Sequence, residues 1–381
     1  MQKLTRPITA TFSQRASVMA FAMSAILTAG ACARNDRSAP ADSGSADSSK
    51  VAATTSPAAP TPAEPDAQMQ AVLDQLTALG PKPIVALTPA EARKQPTPAD
   101  AAKAVLTKQG KPAAPDASVI TADRTIPGAA APMPTRIYTP AGATALLPII
   151  VYYHGGGWVI ANKNVYDGGA RALSKMANAI VVSIDYRLAP EHKFPAAHDD
   201  ALAAYQWALA NASSIRGDPT RIALAGESAG GNLAIATAMS ARDKGLKAPV
   251  AVLAVYPIAG SDTTTQSYIE NADAKPLNRA MMGWFLRQST RSPADMKDPR
   301  IDLVHANLKG LPPVTIVAAQ IDPLRSEGEM LAQHLKDAGV PVERKQYDGV
   351  AHEFFGMGMV IDKAMDAEQY AADALKKAFG R

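Results

Sequence analysis

Apolar residues occur in two patterns along this chain. Uninterrupted or alternating apolar runs, typical of β-strands, recur between residues 147 and 347. Stretches with helical spacing or helix-capping residues separate some of these runs and also precede them. The strand-like runs are 147–153, 179–186, 221–225, 311–319 and 340–347, and the helix-like stretches are 68–79, 98–109, 280–286 and 326–338. Strands that alternate with helices predict an α/β fold with a mostly parallel sheet.

One junction between a predicted strand and a predicted helix has the pattern Gly-x-Ser-x-Gly. Its residues are Gly226-Glu227-Ser228-Ala229-Gly230. Such a turn is so tight that only small residues fit beside the serine, whose backbone is strained and whose hydroxyl is exposed. Because short patterns also occur by chance, the interpretation depends on the flanking strand and helix. We expect Ser228 to be a nucleophile and Glu227 to be a positioning group.

A run of glycines directly follows the predicted strand 147–153. Its residues are His154-Gly155-Gly156-Gly157-Trp158. Consecutive glycines destabilise regular structure, but they let backbone N–H groups approach a ligand closely. We expect the N–H groups of Gly155, Gly156 and Ala229 to bind the oxyanion of a tetrahedral intermediate. The alternative is a flexible glycine loop without a chemical role.

A nucleophilic serine needs a base, and the base needs a carboxylate that orients it. Asp322 follows the predicted strand 311–319, and His352 follows the predicted strand 340–347. The order serine, aspartate, histidine is that of the α/β-hydrolase triad and differs from the orders in chymotrypsin and subtilisin. Each candidate lies just past the C-terminal end of a predicted strand, at the sheet edge where ligands bind.

Together these motifs resemble those of the hormone-sensitive-lipase-like, or bacterial family IV, esterases of the α/β-hydrolase superfamily. The matching pieces are His154–Trp158, Asp185–Glu191, Gly226–Asn232, Leu311–Pro313, Asp322–Leu324 and the His352 loop. The resemblance implies an eight-stranded, mostly parallel sheet flanked by helices, with a helical cap. It also implies hydrolysis of short- to medium-chain carboxylic esters through an acyl-enzyme, with Ser228, Asp322 and His352 as the triad.

Three positions depart from the family pattern. Glu353 follows the catalytic histidine where the family usually has glycine. Gln320 stands where glycine is common, and Ser326 stands where an acidic residue is frequent. No triad member is lost. A carboxylate beside His352 favours the protonated imidazole.

The resemblance also places the apolar stretch 280–286 in the cap, where it would line the acyl pocket. The alternative is packing between cap and core. The candidate pocket residues are Trp158, Met282, Trp284 and Phe285, and the expected supporting residues are His154, Gly157, Glu227 and Glu191. We expect the loop that ends at Glu191 to be a scaffold beneath the glycine loop.

The N-terminal residues predict export. An uncharged run, 16–31, follows three basic residues and is shorter than the roughly 20 residues that span a membrane. It ends in Ala-Gly-Ala directly before Cys32, the only cysteine. This pattern predicts a signal peptide of residues 1–31 and lipidation of Cys32, hence a periplasmic or outer-membrane lipoprotein of a bacterium. A secreted protein without lipid and an uncleaved leader are the alternatives.

The rest of the chain divides into a tether and a catalytic domain. Residues 32–66 are rich in Ala, Ser, Pro, Asp and Thr and cannot bury enough apolar surface to fold. We expect a disordered tether there and the catalytic domain in residues 67–381. By the resemblance, residues from about 67 to 115 and from about 260 to 307 belong to the cap.

Composition and charge narrow the function further. The net charge is +4, but three of the basic residues lie in residues 1–31, which contain no acid; the rest of the chain has 36 basic and 35 acidic side chains. Without a basic stripe, nucleic acid is not an expected partner. Metal-ligand spacings, a dinucleotide fingerprint and a phosphate-binding loop are all missing, so we expect no metal and no cofactor.

The expected partner is a small-molecule ester, and contact with a membrane is expected only through the lipid anchor. A homodimer is left open. Two alternatives to the carboxylesterase remain at this point. One is an amide-cleaving serine hydrolase, such as a deacetylase or a peptidase-like enzyme. The other is a non-catalytic binding lipoprotein that has kept the same fold.

Overall fold

The computed structural model describes residues 63–380. The predicted signal peptide, the lipidation site Cys32 and nearly all of the predicted tether lie outside the described residues. Within residues 63–380, no helix combines the length and the apolar character that crossing a bilayer requires.

The strands in this part of the chain form one sheet. They are β1 (Val119–Pro127), β2 (Pro132–Pro140), β3 (Leu147–Tyr153), β4 (Ile180–Ile184), β5 (Gly217–Glu227), β6 (Val252–Val255), β7 (Val314–Ile321) and β8 (Val342–Ala351). Their spatial order is β1-β2-β4-β3-β5-β6-β7-β8. The pairs β1–β2 and β2–β4 are antiparallel, and every pair from β4 to β8 is parallel. The predicted eight-stranded, mostly parallel sheet is therefore confirmed.

Helices cover both faces of the sheet. They are α1 (Ala67–Ala78), α2 (Pro89–Ala92), α3 (Pro98–Lys108), α4 (Asp167–Ala177), α5 (Ala196–Asn211), α6 (Ala229–Asp243), α7 (Gln266–Glu270), α8 (Arg279–Ser289), α9 (Arg325–Asp337) and α10 (Asp362–Ala378). Helices α5, α6, α8 and α9 contribute to one apolar core, and α1, α3, α4 and α10 contribute to a second. The sheet separates the two cores.

Strand β3 shows why an uninterrupted apolar run forms a central strand. All seven of its residues are buried. Ile149, Val151 and Tyr153 belong to one core, and Ile150 and Tyr152 belong to the other. A strand covered on both faces needs apolar side chains at every position. Each large side chain buried in this way contributes about 1.5–3 kcal/mol to stability.

The strand before His352 is longer than the sequence predicts. The prediction ends at Tyr347, whereas β8 continues to Ala351. After a register shift Ala351 pairs with Ile321 of β7, so the ladder continues to the residue before His352. Asp322 and His352 therefore directly follow two neighbouring, paired strands.

The folded part includes Asp66, one residue earlier than the predicted domain boundary. Its side chain accepts a hydrogen bond from the Met69 N–H and caps helix α1. Its own N–H donates to the Gly349 carbonyl oxygen at 2.8 Å. Its carboxylate also lies 2.8 Å from Lys363 Nζ. Asp66 thus ties α1 to the end of β8 and to the start of α10.

Candidate active site

Ser228 lies at the turn between β5 and α6. Its backbone angles, φ 55° and ψ −117°, are a strained conformation that costs a non-glycine residue about 1–3 kcal/mol. A Cβ on Gly226 would lie 2.2 Å from the Gly230 carbonyl oxygen, and one on Gly230 would lie 1.9 Å from the Tyr153 oxygen. Larger residues at these two positions would therefore break the turn. The Ser228 N–H donates to the Val255 carbonyl at 2.9 Å and fixes the residue against β6.

The structure brings Ser228, His352 and Asp322 into one line of hydrogen-bonding groups. His352 Nε2 lies 3.0 Å from Ser228 Oγ, and His352 Nδ1 lies 2.7 Å from Asp322 Oδ2. The other carboxylate oxygen of Asp322 accepts a hydrogen bond from the Leu324 N–H at 2.8 Å. All three side chains of this line are buried. In the neutral tautomer that the Asp322 carboxylate favours, Nδ1 donates and Nε2 is free to accept the serine proton.

Two opposing effects act on the pKa of His352. Burial lowers the pKa, because the charged imidazolium loses its hydration. The charge and hydrogen bond of Asp322, together with the charge of Glu353, raise it. The net direction is upward. The arrangement therefore stabilises the imidazolium that forms whenever His352 takes a proton.

The glycine loop places unused backbone donors next to Ser228. Within residues 63–380, the N–H groups of Gly155, Gly156 and Ala229 donate no hydrogen bond. Backbone N–H groups inside folded proteins are nearly always paired, so unpaired donors in the glycine loop and at the start of α6 are available to a ligand. Gly156 has φ 94°, and a Cβ there would lie 2.3 Å from the Ile160 carbonyl oxygen. Only glycine fits this position.

Aromatic and imidazole rings support the glycine loop from beneath. The Tyr186 hydroxyl donates to the His154 carbonyl at 2.9 Å and lies 3.3 Å from the Gly155 carbonyl. The His154 ring stacks on the Tyr186 ring, with centroids 4.2 Å apart. Gly157 lies against Phe285, because a Cβ at Gly157 would be 2.3 Å from that ring. Tyr186 belongs to the loop that the sequence predicts as a scaffold, and it supplies the hydrogen bonds.

Glu227 is buried behind the serine rather than in contact with it. The hydroxyl groups of Tyr152 and Tyr256 donate to its two carboxylate oxygens. Burial raises the pKa of Glu227 to about 8, and the nearby charge of Glu353 adds to the effect. Neither tyrosine could be predicted from the sequence, because no spacing pattern shows which strand residues turn towards a buried acid.

A cavity of about 630 Å³ opens above Ser228 and His352. Met282 and Phe285 line it, as predicted for pocket residues, together with residues of the segment 76–98. Trp158 and Trp284 are buried but do not line this cavity. The Trp158 ring lies near His198, with centroids 6.0 Å apart, and the Trp284 ring packs edge-on against Phe285. The assignment of these two tryptophans to the pocket is therefore corrected: both pack within the core.

The described residues do not form a metal site. Within residues 63–380, no three His, Cys, Asp or Glu side chains are placed to hold a metal ion. Three histidines outside the active site have other partners: His198 lies 3.0 Å from Asn232, His305 lies 2.9 Å from Asp302, and His334 lies 2.7 Å from the Ala306 carbonyl.

Similar proteins identify the fold family of this chain. A family model of the α/β-hydrolase fold matches residues 150–356, more than half of the chain. The chain belongs to the α/β-hydrolase fold family. The carboxylesterase NlhH of Mycobacterium tuberculosis is 40% identical over 250 residues, which are 65% of this chain and 78% of that protein. The ethyl acetate hydrolase of Pseudomonas putida is 33% identical over 226 residues, which are 59% of this chain and 71% of that protein.

Solved structures of α/β-hydrolase esterases share the architecture. A thermostable esterase from Pseudomonas putida superposes with a TM-score of 0.75 and 31% identity, over 83% of this chain and 98% of that one. A Pyrobaculum calidifontis esterase has a TM-score of 0.72 and 35% identity, over 79% of this chain and 97% of that one. The resemblance to hormone-sensitive-lipase-like esterases and the expected enzyme class, a hydrolase of carboxylic ester bonds, are confirmed.

Glu353, which replaces the usual glycine of the family pattern, places its side chain next to His352. Its φ of 69° is a conformation that favours glycine, the usual residue there by the resemblance. Glu353 Oε1 accepts a hydrogen bond from the Tyr166 hydroxyl at 2.6 Å and lies 3.8 Å from His352 Nε2. Burial raises the pKa of Glu353, and His352 and Tyr166 oppose this effect. No motif in the sequence points to Tyr166.

Ser326, another of the three departures, takes part in a hydrogen-bond pair beneath Asp322. The Ser267 N–H donates to Ser326 Oγ at 3.1 Å, and the Ser326 N–H donates to Ser267 Oγ at 3.0 Å. The Ser267 hydroxyl also donates to the Pro323 carbonyl at 2.6 Å, and the Asn271 amide donates to the Asp322 carbonyl at 3.3 Å. These bonds hold the backbone of the loop that carries Asp322. Ser267 and Asn271 lie outside every motif and could not be predicted.

Glu191 lies at the protein surface, away from Ser228. Its carboxylate forms a two-pronged pair with the Arg93 guanidinium, with the shorter contact at 2.6 Å. Arg93 also donates to the Ala189 and Val159 carbonyls at 2.7 Å and 2.8 Å. Glu191 thus holds Arg93, which connects the end of α2 to the loops that contain Val159 and Ala189.

Proposed function

We propose that the protein is a serine carboxylesterase that hydrolyses short- to medium-chain acyl esters through an acyl-enzyme. The observation on which this proposal depends is the line Ser228–His352–Asp322, with contacts of 3.0 Å and 2.7 Å, at a strained strand-to-helix turn. A hydroxyl, a base and an orienting carboxylate in this order form a nucleophilic triad.

In the first half of the proposed reaction, Ser228 Oγ attacks the ester carbonyl carbon while His352 Nε2 takes the serine proton. The carbonyl oxygen becomes an oxyanion, which the N–H groups of Gly155, Gly156 and Ala229 bind. His352 then gives its proton to the alcohol oxygen as the carbon–oxygen bond breaks. The alcohol leaves, and the acyl group remains on Ser228.

In the second half, a water molecule takes the place of the alcohol. His352 accepts a proton from that water, whose oxygen attacks the acyl carbonyl carbon. The same N–H groups bind the second oxyanion, and His352 returns the proton to Ser228 Oγ as the acid leaves. Asp322 keeps the imidazole in the tautomer and orientation that both halves require.

The cavity supports the proposed acyl-chain range. Its volume of about 630 Å³ is in the middle of the range for small-molecule sites. Its apolar wall includes Leu277, Met282 and Phe285, which suit a short hydrocarbon chain. One relative is named for the hydrolysis of ethyl acetate, an ester with a short acyl group. We infer that residues from about 67 to 115 and from about 260 to 307 act as the cap around this cavity.

The decisive experiment is hydrolysis of p-nitrophenyl esters of graded chain length by the protein and by Ser228→Ala. We expect activity that peaks at short chains and falls at least about 10⁴-fold in the variant. A matched control is Ser214→Ala, which removes an exposed hydroxyl that donates to the Asn211 carbonyl. Ser228→Ala with full activity would overturn the proposal, and faster cleavage of matched anilides would indicate an amidase.

We also propose that the protein is exported and lipidated on Cys32. The leader pattern of residues 1–31 and the position of the single cysteine support this proposal. Radioactive palmitate should label the protein made in a bacterial host, and Cys32→Ser should abolish the label. An unlabelled protein that is cleaved after residue 31 would instead indicate ordinary secretion.

A further inference from the structure

We infer that Glu353 and Tyr166 form a leaving-group subsite that favours esters whose alcohol carries a hydroxyl close to the ester oxygen, that is, partly acylated diols or polyols. This inference rests on the proposed function, because it needs Ser228 and His352 to act on an ester. It adds the chemical class of the alcohol.

The position of His352 shows which half of the ester meets Glu353. Nε2 must reach both Ser228 Oγ and the oxygen of the departing alcohol, because it passes a proton from one to the other. Glu353 Oε1 lies 3.8 Å from the same nitrogen. The Glu353 carboxyl therefore lies close to the point where the leaving oxygen of the alcohol must approach Nε2.

One oxygen of Glu353 is available to a ligand. Oε1 accepts the Tyr166 hydroxyl, whereas Oε2 accepts no hydrogen bond from residues 63–380. The Glu353 side chain is 21% exposed, and the residue lines the cavity above Ser228. A carboxylate oxygen that faces a cavity without a partner is satisfied by a hydrogen-bond donor. A hydroxyl on the leaving alcohol is such a donor.

Tyr166 holds the carboxyl in place. Its hydroxyl is buried against the glycine loop, since a Cβ on Gly155 would lie 2.2 Å from it. Burial raises the pKa of Tyr166 well above its ordinary value, so the hydroxyl stays protonated and donates to Glu353. The pair is thus fixed between the oxyanion loop and His352, as a specificity element should be.

A second cavity of about 960 Å³ continues on the far side of the pair. Both cavities are lined by Pro98, Val165, Tyr166 and Glu353. Three charged groups of the second cavity pair with one another: Arg171 lies 3.0 Å and Arg136 lies 3.4 Å from Asp167. A lining that mixes apolar side chains with paired charges suits a neutral group with a short carbon skeleton better than an ion. The remainder of a polyol has room there.

The subsite takes part in the step in which the ester carbon–oxygen bond breaks. As the ester carbon–oxygen bond breaks, the leaving oxygen receives the proton that His352 took from Ser228. The neighbouring hydroxyl of the alcohol donates a hydrogen bond to Glu353 Oε2 and keeps its own proton. Glu353 therefore holds the alcohol in the orientation in which His352 Nε2 faces the leaving oxygen, without taking part in proton transfer.

The test compares two acetate esters of nearly equal size, 2-hydroxyethyl acetate and propyl acetate. The quantity measured is the ratio of their kcat/KM values in the protein, in Glu353→Gly and in Tyr166→Phe. We expect the ratio to fall about 10-fold in Glu353→Gly, as the loss of one hydrogen bond to a charged group implies. We expect a smaller fall in Tyr166→Phe. A matched control is Glu343→Gln on β8, an exposed acid far from the cavity.

Three outcomes would be decisive. An equal loss for both esters in Glu353→Gly would overturn the subsite, while the esterase itself would stand. A Glu353-dependent preference for acetylcholine over its neutral isostere, 3,3-dimethylbutyl acetate, would assign the subsite to a cation and overturn the hydroxyl. No hydrolysis of any ester by the folded, unsubstituted protein would contradict the proposed function instead. Glycine suits the φ of 69° at position 353, so this variant is expected to fold.

Discussion

The two sides of Ser228 are built from different groups. On one side, the glycine loop and the start of α6 offer three unpaired backbone N–H groups, from Gly155, Gly156 and Ala229. On the other side, the Glu353 and Tyr166 side chains stand next to His352. In the proposed reaction, the first side binds the carbonyl oxygen that every ester has, and the second contacts the alcohol, which differs from ester to ester.

This difference separates a general task from a selective one. Backbone donors cannot be exchanged by mutation, and their geometry depends on glycines that no other residue can replace. Side chains can be exchanged without a change of fold. A single substitution at Glu353 can therefore alter the alcohol preference, whereas a substitution in the glycine loop should harm the hydrolysis of all esters alike.

Among the variants that test this difference between the two sides, Gly156→Ala should have the largest effect. The added Cβ would lie 2.3 Å from the Ile160 carbonyl and would displace the loop from its present geometry. Because one oxyanion donor is typically worth about 10²–10³ in rate, kcat should fall by that factor for every ester, whatever its alcohol. Steady-state kinetics on a series of acetate esters would measure this.

A suitable control for that variant is Gly328→Ala. Gly328 lies in α9 with nothing within 4 Å of an added Cβ, so activity should be retained and stability should rise by about 0.5–1 kcal/mol. If Gly156→Ala instead changed the ranking of alcohols, the division of tasks between the two sides would be wrong.

A smaller effect is expected from Glu353→Gln on the pH dependence of kcat/KM. The negative charge of Glu353 raises the pKa of His352, so its removal should lower that pKa. The acidic limb reports the base in the free enzyme, and it should therefore move to lower pH. The other charged or polar groups that face His352 are Asp322, Ser228 and the Tyr256 ring. A limb at the same pH in both proteins would show that Glu353 does not act on His352.

The smallest effect on rate should come from Glu227→Gln. The side chain of Glu227 does not contact Ser228, and its substitution should mainly change how stability depends on pH. Its pKa is raised from 4.5 to about 8, so the folded state holds a proton that the unfolded state loses above pH 4.5. Stability therefore falls between these pH values, by about 1.4 kcal/mol per pH unit for one proton. The variant should show a shallower slope in urea unfolding at several pH values.

Three other acids affect that slope and remain in the variant. Glu368 has its pKa raised to about 7, and burial also raises the pKa values of Glu327 and Glu353. Some decline of stability with pH should therefore persist. An unchanged slope in Glu227→Gln would mean that the carboxylate between Tyr152 and Tyr256 is already ionised in the folded protein.

The triad and the glycine loop could be predicted from the sequence better than the side chains around them. Ser228, Asp322 and His352 could be located because each follows a recognisable strand, and parallel strands bring their C-terminal ends to one edge. The glycine run before Trp158 was visible for a similar reason, since consecutive glycines have few structural uses. These signals are local in the chain and need no knowledge of packing.

The side chains that complete the site carry no such signal. Tyr152 and Tyr256 lie in or next to apolar strands, where a tyrosine is expected with or without a buried acid to bond. Tyr166 is separated from Glu353 by 187 positions in the chain, and only the folded structure brings them to 2.6 Å. Trp158 directly follows the glycine loop in the sequence, but its ring packs near His198 in the core and not in the cavity.

The contacts of Asp66 set a practical limit for protein engineering. A shortened chain that begins at residue 67 would lack the cap of α1, the hydrogen bond to Gly349 and the partner of Lys363. Gly349 is only three positions before His352, so the loss of this hydrogen bond would loosen the backbone next to the catalytic base. A truncated protein for crystallisation or assay should therefore begin at residue 63 or earlier. Asp66 then still holds the end of β8, which His352 follows.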